Sequence, residues 1–82
     1  MTHIERNPVL PPDPDGINDK RSAGAGLAIA AFQRATGADD EDVLCDFLTD
    51  LMHWADRNHY DFEAALDRGG FHYEAETKGD PA

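Results

Sequence analysis

Asp46, Asp50, His53 and Arg57 follow one another at steps of four, three and four residues, the spacing that sets side chains side by side on a helix. A carboxylate and an imidazole one turn apart have two chemical uses: they can ligate a divalent metal, or exchange a proton as an acid–base pair. Either use needs more partners. A metal wants a third ligand at motif spacing, and the HxxxH and HExxH arrangements are both missing. Asp50 and His53, with His72 as a distant third, define a metal- or small-ligand alternative. Against it stands a solvated helix face laced with weak ion pairs.

Cys45 is the only thiol. Nucleophilic use would need a positively charged, open surround, whereas Asp42, Asp46 and Thr49 stand within one turn of it. Cys45 and His53 lie too far apart around the helix to share one ion, and Cys45 reads instead as a small residue at the edge of a core. A single cysteine rules out an internal disulfide and multi-cysteine zinc, and fits a reducing compartment. Gly24-Ala25-Gly26 does not make a nucleotide loop. The dinucleotide fingerprint needs a preceding strand and a third glycine where Ile29 stands, and the phosphate loop needs Gly-Lys-Ser/Thr. No catalytic residue, cofactor or metal site is assigned on this reading, and no enzyme is expected.

The element that must carry these residues is a helix over about 39–58. At 100° per residue, Val43, Leu44, Phe47, Leu48, Leu51, Trp54 and Ala55 fall within roughly 140°, and Asp42, Asp46, Thr49, Asp50, His53, Asp56 and Arg57 fall opposite. Trp54 is thereby expected inside. Asp39 or Asp40 suits the first-turn amides, and Asn58 suits a left-handed stop. A second helix is expected over about 19–36, capped by Asn18, Asp19 or Ser22 and closed by Gly37. Its apolar and small residues, Leu27, Ala31, Ala35, Ala28, Phe32, Ala25 and Ile29, cover roughly 200°. That is wider than one neighbour needs, and it points to burial within a dimer. A third helix, over about 61–76, starts at Asp61 and lines up Phe62, Ala65, Leu66 and Tyr73. Gly69-Gly70 is expected to leave it continuous or kinked, with close packing at the glycines. A continuous helix turns Phe71 away from the core, as a protein-contact candidate.

Residues 1–17 form a Pro-rich extended arm in which Ile4, Val9 and Leu10 are the aliphatic handles, ahead of a helical domain over 18–77 and a tail over 78–82. The fold class is therefore all-α, a small three-helix domain. With 82 residues and no disulfide, association is the natural remaining stabiliser, and a homodimer is expected. Seventeen acidic residues against seven basic ones give a formal charge of −10. No basic patch is present for nucleic acid, and no apolar run approaches a membrane span. A signal-peptide plan is absent as well, so a cytoplasmic protein is expected.

The run Leu51-Met52-His53-Trp54-Ala55-Asp56-Arg57-Asn58, with Tyr60-Asp61-Phe62 and His72-Tyr73-Glu74, resembles a group of small acidic helical proteins of bacteria, often encoded on phages and mobile elements. The resemblance covers about residues 39–77. It implies a phage or mobile-element setting and contributes no catalytic residue. The expectation that results is a non-enzymatic modulator or inhibitor of a host complex. It would present Asp42, Asp46, Asp50, His53, Asp56, Arg57 and Phe71 to a protein partner with a basic surface, in part as a nucleic-acid mimic.

Overall fold

The computed structural model describes residues 10–78. Among them are three helices and no strand: α1 (Ile17–Thr36), α2 (Val43–Arg57) and α3 (Phe62–Thr77). The all-α expectation holds. Ile4 and Val9, named above as handles of the arm, lie outside the described residues. Leu10, the third handle, stands 84 % exposed.

α1 begins earlier than expected and with a different cap. Asp13 to Gly16 forms a turn closed by the Gly16 amide donating to the Asp13 carbonyl at 3.1 Å. Gly16 takes a left-handed φ of 71° and has no side chain to offer the first amides. Asp13 substitutes for it: Oδ1 accepts from the Asn18 amide and Oδ2 from the Asp19 amide, both at 3.0 Å. One carboxylate thus satisfies two of the donors that a helix start leaves free. Asn18, Asp19 and Ser22, expected as caps, lie inside the helix. Gly37 closes α1 as expected, at φ 76° with its amide donating to the Gln33 carbonyl at 2.7 Å.

Asp39 caps the approach to α2, its Oδ1 accepting from the Asp42 amide at 2.9 Å. Residues 40–42 form a turn, so the regular helix starts at Val43 rather than at 39. Gln33 ties this turn to α1 by donating to Asp40 Oδ1 at 2.9 Å. The stop of α2 corrects another expectation. Asn58 has φ −112°, and His59 takes the left-handed position at φ 64°. The Tyr60 amide then reaches back to the Ala55 carbonyl at 2.9 Å, the six-to-one bond of a Schellman ending. Asn58 works through its side chain, donating to the Trp54 carbonyl at 2.9 Å.

Asp61 caps α3 as expected, accepting from the Ala64 amide at 3.0 Å. The helix runs unbroken through Gly69-Gly70. A Cβ built at either glycine meets nothing within 4 Å, so these glycines do not serve close packing between elements of the chain.

Packing is organised by the rows that run at four-residue steps along α2. Val43, Phe47, Leu51 and Ala55 form one row. Val43 and Ala55 are buried at its two ends, and Phe47 and Leu51 are half-buried between them. α1 covers the first part through Phe32, whose ring lies 5.0 Å from that of Phe47 at 44°. α3 also packs on α2, and its Phe62 is half-buried. α1 and α3 join where Asn18 Nδ2 donates to the Glu76 carbonyl at 2.8 Å and Arg21 pairs with Glu76 at 3.7 Å. The next row, Leu44, Leu48 and Met52, stays 53 %, 41 % and 49 % exposed. Only part of the apolar arc is used.

Candidate functional site

On the other side of the buried row, Asp42, Asp46 and Asp50 make a third four-residue row, and it runs on to Trp54. Successive members are about 6 Å apart along the axis. All three carboxylates are exposed. Trp54 is 52 % exposed, against the expectation of burial, and stacks on Tyr60 with ring centroids 5.0 Å apart and planes at 21°. The reason is local. The Schellman ending turns Tyr60 back over the last helical turn, onto an indole that stays half-exposed. The acidic row therefore ends in a two-ring aromatic platform.

The outermost row carries Cys45, Thr49, His53 and Arg57, all exposed. Cys45 is thus on the surface and not at the edge of the core. Arg57 turns its Nη1 toward the His53 carbonyl at 3.3 Å, completing the carbonyl end of the helix. The ion pairs expected to lace this face do not form. Among the described residues the one ion pair within 4 Å is that between Arg21 and Glu76, on other helices. Asp46 and Asp50 consequently keep their charge turned to solvent.

The remaining expected contact residues separate. Asp56 stands on the row of Leu44, Leu48 and Met52, away from the three aligned carboxylates. Phe71 is 73 % exposed on α3, beside a shallow depression lined by Leu66, Asp67, Gly70 and Glu74 of the same helix. Asp42, Asp46 and Asp50 form one surface with His53 and Arg57 beside them; Asp56 and Phe71 are not part of it. Among the described residues no group of three or more His, Cys, Asp or Glu side chains converges to hold a metal ion. Among the described residues Asp50 and His53 have no third ligand grouped with them, and His72 is on α3.

Trp54 and Tyr60 are the members that the sequence reading missed. The signal was present in the four-residue step from Asp42 through Asp50, which lands on Trp54, while the wheel assigned it inward by angle alone. No helix among the described residues is long and apolar enough to cross a membrane. Comparison with family models, with curated proteins and with solved structures found no match for the chain.

Proposed function

We propose that this chain is a non-enzymatic interaction protein whose α2 presents an acidic row to a basic protein surface, in the manner of a small modulator or inhibitor of a host complex. The observation that carries the reading is the row itself: Asp42, Asp46 and Asp50 exposed, aligned and free of cationic partners among the described residues, beside the half-exposed Trp54–Tyr60 stack. A partner's lysines or arginines would meet uncompensated carboxylates, and an arginine could lie on the indole face, a contact worth about 0.5–2 kcal/mol. Tryptophan and tyrosine are the side chains that most often anchor such contacts.

Charge spacing limits the mimicry. One carboxylate per roughly 6 Å is sparser than one phosphate per about 3.4 Å along a DNA strand. The row would therefore compete for a basic groove through net charge and the aromatic anchor, not through phosphate register. The phage or mobile-element setting is the one implied by the resemblance of residues 39–77. The test is affinity capture from a bacterial lysate with the unaltered chain, compared with an Asp46→Lys, Asp50→Lys double variant and with Trp54→Ala. A specific partner should be lost with the double variant, weakened at least tenfold by Trp54→Ala, and released by raised salt. Equal capture by the charge-reversed chain would defeat the proposal.

A further inference from the structure

We infer that α2 has a second interface, the row Leu44, Leu48 and Met52, and that its occupant is a second copy of this chain. This inference is independent of the acidic row and its partner.

Surface area is the first ground. A folded monomer of 9.0 kDa exposes about 4,900 Å² by the size scaling of globular proteins, whereas this chain exposes 7337 Å². Even if the residues outside 10–78 are granted full unfolded-chain exposure, about 2,100 Å², the rest exceeds its own expected surface by about 1,000 Å². Doubled for two chains, this surplus is about 2,000 Å², comparable with what obligate homodimer interfaces bury. The core inside one chain is correspondingly thin. Val43 and Ala55 are its only buried apolar residues among those described, and neither is fully sealed from solvent.

The second ground is the chemistry of the row. Leu44, Leu48 and Met52 carry no charge, and their outer neighbours Cys45 and Thr49 carry none either; Asp40 and Glu41 bound the strip at its start and Asp56 at its end. A chain of formal charge −10 repels its own copies, so two copies can meet only where their facing surfaces lack carboxylates. A basic partner would gain nothing from this strip. A second copy would gain apolar burial on both sides, and a two-fold pairing of α2 with its counterpart would leave both acidic rows facing outward.

Sedimentation equilibrium of the full chain, with thermal unfolding followed across a hundredfold range of protein concentration, tests the inference. The expected result is a mass twice 9.0 kDa and an unfolding midpoint that rises with concentration. Raising salt should tighten the association, because screening removes repulsion between like charges. Leu48→Glu and Met52→Glu should each weaken the dimer by about a hundredfold or more, and Asp46→Asn should leave it intact. A single-chain mass with a concentration-independent midpoint overturns the inference, whatever else covers the row. A dimer that salt dissociates, or that both glutamate variants retain, overturns it as well. The concentration series needs no variant, so a single-chain result overturns the inference even if Leu48→Glu fails to fold, while Met52→Glu ties a dimer to this row.

Discussion

Asp13→Ala should cost this small fold a large fraction of its stability, although Asp13 lies outside every helix. Its carboxylate receives the Asn18 and Asp19 amides at 3.0 Å each, and Gly16 at the formal cap position has no side chain to take them over. Removing an acidic cap costs about 0.5–2 kcal/mol, and the lost negative charge at the positive end of α1 adds about 0.3–1 kcal/mol. Because the carboxylate is half-buried and holds two amides, about 1.5–2 kcal/mol is expected. For a domain of this size that lowers the thermal midpoint by about 6–15 °C. Asp13→Asn keeps one oxygen acceptor but neither the charge nor the second bond, so it should recover about half the loss. Asp15→Ala, two residues on and without a side-chain bond among the described residues, should stay within about 0.5 kcal/mol of the unaltered chain. The assay is urea and thermal unfolding by circular dichroism at one fixed protein concentration. An Asp13→Ala midpoint within about 2 °C of the parent, or an Asp13→Asn variant no better than alanine, would refute the capping account.

Gly69→Ala should stabilise the chain by about 0.5–1 kcal/mol, since the added methyl meets nothing within 4 Å and alanine is the better helix former; equilibrium unfolding would register it. His59→Gly should gain up to about 1 kcal/mol by relieving a left-handed backbone in a residue with a Cβ, and a loss of stability would show that the imidazole itself holds the turn. Phe47→Ala should cost about 2–3 kcal/mol, less than a fully buried ring would, because Phe47 is only half-buried against Phe32. Tyr60→Ala should shift the tryptophan emission of the chain by unstacking Trp54, with a stability change of at most about 1 kcal/mol.

Three helices were legible in the sequence because their punctuation is chemical: Gly37 and Asp61 sit where a left-handed stop and a side-chain cap are needed, and both do those jobs. Other ends were not legible, for definite reasons. Asn58 and His59 adjoin, and asparagine is the better left-handed residue, yet Asn58 bonds the Trp54 carbonyl through its amide and passes the positive φ to His59. The Asp13 cap spans five and six residues to its amides, beyond the local windows in which caps are sought. Angle around α2 was read correctly, but coverage was not. A helical wheel gives the direction of Trp54 and Leu48 and says nothing of where a neighbouring helix ends. The acidic row was readable as a row; its exposed aromatic end required the turn at Tyr60.

The junction between the first turns of α1 and the last turn of α3 bears on motion. It brings together residues 58 positions apart through one hydrogen bond and one largely solvated ion pair, together worth about 1–2 kcal/mol. A closure that weak is among the first parts of the fold to open. Gly24 and Gly26, poor helix formers, lie in α1 just beyond the junction, while Phe32 near its far end packs on Phe47 of α2. The chain is then a clasp with α2 as its fixed bar. Amide exchange should be fast in the early turns of α1 and the late turns of α3, and slowest along Val43 to Ala55.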